Sequence, residues 1–199
     1  MISRPMISRQ QRSGLVVVAV MVLIMWVSEA VDTVLGGALD QFGIIPREVS
    51  GLDGIVFAPF LHGGFGHLIA NTVPLLVLGA AIAVAGALRL IAVTAIITVV
   101  GGLGTWLTGA ANSLHIGASG LVFGFAAYLV ARGIFSRRVG QIILGAVIVV
   151  FWGGSLLTGF LPQPGISWQG HLFGAVGGVL AAWLVHRRRS PRHSYPAVR

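Results

Sequence analysis

Cysteine and lysine are absent from the 199 residues, and the only carboxylates are Glu29, Asp32, Asp40, Glu48 and Asp53. Without cysteine there is no disulfide framework, no thiolate metal site and no cysteine nucleophile. With every carboxylate between residues 29 and 53, the later apolar stretches hold no paired aspartates for an aspartyl protease. They also lack the histidine and carboxylate cluster of a zinc site, and HExxH does not occur. No metal is expected. Charged residues make up 9% of the chain, against roughly 25% in an ordinary soluble domain, which excludes that class.

What is present is apolar: 56% of residues are hydrophobic and the mean hydropathy is +0.93. Runs of about 20 apolar residues can cross a hydrocarbon core of about 30 Å. Six such segments recur, at residues 14–35, 67–86, 90–109, 119–131, 140–159 and 169–185. The expected fold is therefore an all-α membrane protein of six transmembrane helices. Residues 1–13 read as an N-terminal segment, 14–186 as the six-span domain with a first loop at about 36–66, and 187–199 as a basic tail.

All thirteen basic residues are arginines. Arg4, Arg9, Arg12, Arg89, Arg132, Arg137, Arg138, Arg187, Arg188, Arg189, Arg192 and Arg199 mark alternate membrane boundaries, and only Arg47 falls at the others. The positive-inside rule then puts both termini in the cytoplasm and the first loop outside. Residues 1–30 also resemble a signal peptide with a small-residue site at Ser28-Glu29-Ala30. Apolar residues continue through Val34 and Leu35, which favours a retained span. The arginine-rich tail suits anionic lipid better than nucleic acid, since nothing folded accompanies the charge.

Four polar residues from three helices, His67, Asn71, Ser119 and His171, fall in the outer third of the bilayer. In "HIGASGLVFGF", Ser119 opens the fourth span, where free N–H groups and the positive dipole end can stabilise an anion. Taken alone, "GASG" reads more readily as a small-residue packing surface. His171 lies in "GHLFGAVGG" on the face of Gly174 and Gly178, which directs it toward a closely packed helix. Even taken alone, an ionisable side chain within a span reads as functional somewhat more readily than as an interhelical hydrogen-bond donor. With Arg132 and Arg187 as surface markers, Ser119 and His171 lie about 20 and 24 Å along their helices, at nearly one depth. His67 and Asn71, at i and i+4, can donate to an oxyanion or can satisfy loop carbonyls. No carboxylate accompanies His171 in sequence, so a Ser119–His171 dyad is simpler than a triad, although Asp53 could reach in from the loop. His62 reads as a loop anchor, His115 as a surface loop residue, and His186 and His193 as part of the basic end; none is assigned chemistry.

"HGGFGHLIAN", "GASG" and "GHLFGAVGG", in this order on six spans, resemble the motifs of the rhomboid intramembrane serine proteases, with bacterial six-span members the nearest likeness. The resemblance implies a rhomboid-like bundle in the bacterial plasma membrane that cleaves transmembrane protein substrates without a cofactor. It implies that Ser119 is the nucleophile and His171 the base. It further implies that His67, Asn71 and the backbone at Ser119 and Ala118, with Gly117 before it, form the oxyanion and substrate-binding region. The fifth span and its external connection would form the lateral gate. Phe123 stands where some members carry a tyrosine, and the first loop lacks the Trp-Arg pair of some relatives. Two other readings compete: an inactive rhomboid-like binder of membrane clients, and a transporter using buried histidines. The former usually loses the serine or histidine, and the latter wants acidic residues in its core.

Overall fold

The computed structural model describes residues 7–187, with side chains through Val185. Six helices there are long and apolar enough to cross a membrane: α1 (Arg9–Val34), α3 (Phe65–Ala83), α4 (Ala87–Thr108), α5 (Ser119–Ser136), α6 (Val139–Gly159) and α7 (Trp168–Arg187). A short α2 (Gly54–Phe57) sits in the α1–α3 loop. The described residues form no strand, only an isolated antiparallel bridge between Ile44 and His115. This is a multi-pass helical membrane protein.

The helix bounds differ from the expected spans in ways that have local causes. Helix α1 begins at Arg9, inside the expected N-terminal segment, because Ser8 and Gln11 form a reciprocal capping box. Helix α5 runs on past Ala131 to Ser136, so Arg132 lies within it rather than at its end. An arginine stem can lie along an apolar helix while its charge reaches polar surroundings, which blurs such a boundary. Of the basic tail only Arg187 is described; residues 188–199, and residues 1–6 with Arg4, lie outside the described residues.

Packing sets α5 at the centre. Over half of its membrane-length window is buried, 56% against 17% for α6. On α1, Gly14, Val18, Met21 and Met25 form a stripe at helical spacing against α3, where Gly79 leaves room for Val18. The stripe ends in Glu29 and Asp32, both buried. Asp32 then accepts the Leu39 N–H at 2.5 Å and turns the chain into the loop. The α5–α7 contact is the most extensive between helices of the bundle. A Cβ on Gly174 would strike the Gly120 carbonyl, and one on Gly178 the Gly124 carbonyl. Small residues on both helices are what allow this approach.

The loop between α1 and α3 is not a free linker. It carries short helical turns at Asp40–Phe42, Val49–Gly51 and Ala58–Phe60 besides α2. Arg47 donates to the Gly109 and Leu107 carbonyls at 2.7 and 3.4 Å, satisfying backbone acceptors that the end of α4 leaves unpaired. Its own N–H bonds the Trp106 carbonyl, and the Trp106 indole donates to the Glu48 backbone carbonyl at 2.8 Å. A tryptophan and an arginine thus dock this loop after all, but they come from α4 and the loop rather than from one motif.

Candidate active site

Ser119 is the first residue of α5, and three local features set its position. Gly117 has φ +112°, a conformation that costs a side-chain-bearing residue strain. A Cβ there would also lie 2.6 Å from Cε1 of His67. Ala118 is fully buried, and its N–H donates to Nε2 of His62 at 3.3 Å. The Gly117 N–H donates to the Ala58 carbonyl at 2.8 Å. The approach to Ser119 is therefore built against the α1–α3 loop, while the amides of the first helical turn have no intrahelical acceptor.

From α7, Nε2 of His171 lies 2.8 Å from Oγ of Ser119. Its Nδ1 lies 2.7 Å from the carbonyl oxygen of Gly159, the last residue of α6. A carbonyl can only accept, so Nδ1 carries the proton and Nε2 presents its lone pair to the serine hydroxyl. The Phe123 ring stacks on the imidazole at 4.0 Å and 7°, with Phe160 packed edge-on against Phe123. His171 is thus held by one hydrogen bond, one aromatic face and the close α5–α7 contact. The orienting acceptor is a backbone oxygen with no sequence signature. Asp53, the carboxylate able in principle to reach in, instead accepts from the Gly54 N–H at the start of α2.

His67 and Asn71 lie on α3, as their spacing suggests. The His67 ring covers Gly117, two residues before Ser119, and packs edge-on to His62 at 5.1 Å. Asn71 is buried and spends one amide proton on the His67 carbonyl at 3.1 Å, leaving a second donor and its oxygen. His62 is buried in the loop just before α3. Burial, and secondarily the neighbouring His67, push its pKa down to about 4, so it is neutral and able to accept the Ala118 N–H.

His115 departs from its reading as a surface residue. It is half-buried, paired through its backbone with Ile44, and both ring nitrogens are bonded, to Ser113 at 2.8 Å and Ser167 at 2.7 Å. Burial lowers its pKa as well. Beside Ser119 a narrow cleft of about 50 Å³ is lined by Ile55, Pro59, Gly101, Thr105, Ile116 and Gly120, among others. Its walls are mostly apolar, with the hydroxyls of Thr105, Ser119 and Ser167 among the few polar groups. Among the described residues no group of three or more histidine or carboxylate side chains is arranged to hold a metal.

Comparison with known proteins agrees with this architecture. Residues 49–188 match the Rhomboid domain family. An uncharacterised protein of Mycobacterium tuberculosis, Rv1337, is 47% identical over 173 residues, covering 82% of this chain and 72% of its own. A Mycobacterium leprae protein, ML1171, is 44% identical over 181 residues, covering 86% and 71%. A Bacillus subtilis protein named "Putative rhomboid protease YdcA" is 30% identical over 135 residues, covering 67% of each chain. With the family match spanning most of the chain and relatives aligned across the bundle, this protein belongs to the rhomboid family.

Proposed function

We propose that this protein is an intramembrane serine endopeptidase that cleaves transmembrane protein substrates near the external side of the membrane. The single observation that carries the reading is the 2.8 Å contact between Ser119 Oγ and His171 Nε2, with the imidazole tautomer set by the Gly159 carbonyl. A serine hydroxyl is a weak nucleophile until a base takes its proton, and a neutral imidazole with a bare Nε2 is such a base.

In the proposed reaction Ser119 Oγ attacks the substrate carbonyl while its proton passes to His171 Nε2. The tetrahedral oxyanion is stabilised by the Ser119 backbone N–H and the side chains of His67 and Asn71. Ala118 and Gly117 shape the backbone beneath it, the Ala118 N–H being engaged with His62. The peptide C–N bond then breaks as His171 returns the proton to the leaving amine. Water gives a proton to His171 as it attacks the acyl-enzyme; the ester C–O bond then breaks as His171 passes that proton to Ser119 Oγ, which releases the acid and regenerates both residues. No cofactor enters any step.

The arginine distribution supports an orientation with both termini cytoplasmic and the α1–α3 loop outside, in a bacterial plasma membrane. Ser119 and the loop residues around it then face the external side, where water is available. The test uses detergent-purified protein, a fluorophosphonate probe and a model transmembrane substrate, with Ser119→Ala and His171→Ala alongside. Wild type labels and cleaves, and both variants fall to background. Cleavage surviving in Ser119→Ala would sink the dyad, and neither labelling nor cleavage by wild type across several substrates would favour a client-binding role.

A further inference from the structure

Another hydrogen-bonded pair joins the same two elements one helical turn ahead of the dyad. His115 precedes Ser119 by four residues, and Ser167 precedes His171 by four. Nδ1 of His115 lies 2.7 Å from Oγ of Ser167, close to the 2.8 Å of the Ser119–His171 contact. His115 and Ser167 line the cleft that holds Ser119, and His115 with Ser113 also lines a separate hollow against the α6–α7 connection. His115 is thus common to both linings.

The direction of every bond in this group follows from proton counting. Ser113 Oγ lies 2.6 Å from the Ala110 carbonyl, which can only accept, so the single hydroxyl proton is spent there. Ser113 must then accept from His115, which puts the ring proton on Nε2. The neutral ring offers a bare Nδ1, so the Ser167 hydroxyl donates to it, leaving Ser167 Oγ to accept the Gly170 N–H at 3.3 Å. The order runs from the Gly170 amide through Ser167, His115 and Ser113 to the Ala110 carbonyl, with each hydroxyl proton used once. Because the His171 N–H bonds the Ser167 carbonyl at 3.1 Å, Ser167 is the N-cap of the helix that carries the base. His115 is also bonded through its backbone to Ile44 at 2.9 and 3.0 Å, which ties this cap to the α1–α3 loop.

We propose that His115 is a positioning residue for the dyad: as the Nε2–H tautomer it locks the N-cap of α7 to the segment leading into α5, and so sets the register of His171 against Ser119. This rests on the serine protease reading, since a register matters to chemistry only if the dyad reacts. Arg47 donates to the Gly109 carbonyl, and Gly109 lies against Nε2 of His115. Burial of the ring disfavours a second proton and helps keep the directed arrangement.

The test is made on the full chain in detergent micelles with ¹⁵N-labelled histidine, on wild type, His115→Phe, His115→Gln, Ser167→Ala and Ser167→Thr. At neutral pH the resonance lost in His115→Phe should have the Nε2–H signature, while that of His171 has Nδ1–H. His115→Phe keeps the ring volume but loses both bonds. Its kcat and its rate of fluorophosphonate labelling should fall tenfold or more while KM stays within about twofold, since a misplacement of about 1 Å costs on the order of a hundredfold. His115→Gln, with one donor and one acceptor, and Ser167→Thr should recover much of the rate; Ser167→Ala should not. An Nδ1–H or charged His115, or a His115→Phe protein that melts and turns over like wild type, would overturn the proposal. Should wild type prove inactive, the protease reading fails separately. The clamp is then judged by whether His115→Phe shifts the His171 resonance, and an unshifted resonance overturns it.

Discussion

The carbonyl oxygen of Gly159 lies 2.7 Å from Nδ1 of His171, so α6, the least buried of the membrane-length helices, orients the imidazole carried by α7. A Cβ on Gly159 would collide with the Phe123 ring and lie 3.0 Å from His171 Nδ1. Gly159→Ala is expected to lower kcat on the order of a hundredfold with little change in melting temperature, because imidazole direction and not bundle packing is disturbed. Steady-state cleavage and a thermal melt on one preparation would check this; wild-type turnover would remove Gly159 from the site's architecture.

Phe123 covers one face of the imidazole without offering it a polar atom. Aromatic contacts of this kind contribute roughly 0.5–1.5 kcal/mol beyond burial. Phe123→Leu should therefore slow fluorophosphonate labelling up to about tenfold while leaving a reactive serine. Labelling time courses distinguish that from a complete loss, which would mean that the ring does more than hold the histidine.

Stability should depend on pH through His62. Its pKa falls from an ordinary 6.5 to about 4 on folding, so between those values the unfolded chain binds more protons than the folded one. Stability is intact above pH 6.5 and declines as pH drops toward 4, by about 2 kcal/mol at pH 5 and about 3 kcal/mol once the shift is fully expressed. Asp40 opposes this: burial, with Asp32 nearby, raises its pKa. The comparison is therefore between wild type and His62→Gln, which keeps an acceptor for the Ala118 N–H but does not titrate. The melting temperature of wild type should fall more steeply from pH 7 to 5; parallel profiles would refute the assignment.

The α5–α7 contact predicts opposite outcomes for two glycines. On Gly178 a methyl would strike the Gly124 carbonyl and lie 2.9 Å from the Tyr128 nitrogen, both backbone atoms that cannot swing away. Gly178→Ala should cost roughly 1–3 kcal/mol or more and reduce cleavage by separating the dyad helices. On Gly154 in α6 a methyl meets nothing within 4 Å, so Gly154→Ala should be neutral or stabilising by up to about 1 kcal/mol. Equal melting shifts for the two would contradict this packing.

Much of the architecture was legible in the chain. Apolar runs of membrane length announced six spans, because a bilayer imposes one length on every crossing helix. The glycines spaced four apart from Gly170 put His171 on a packed face, since helical periodicity alone decides which residues share a side. The partners of these residues were not legible. Gly159 contributes a carbonyl, which every residue owns, and only the meeting of α6 with α7 makes that oxygen the acceptor for His171. His62 and His115 do sit in loops, but their burial and ring partners were hidden because loop burial depends on what lies above and below. Arg47 and Trp106 are 59 positions apart and meet only where the first loop crosses the end of α4. The sequence by itself determined the helices, their faces and the chemical groups available. Tertiary structure decided which nitrogen carries each proton, because that depends on acceptors supplied from remote parts of the chain.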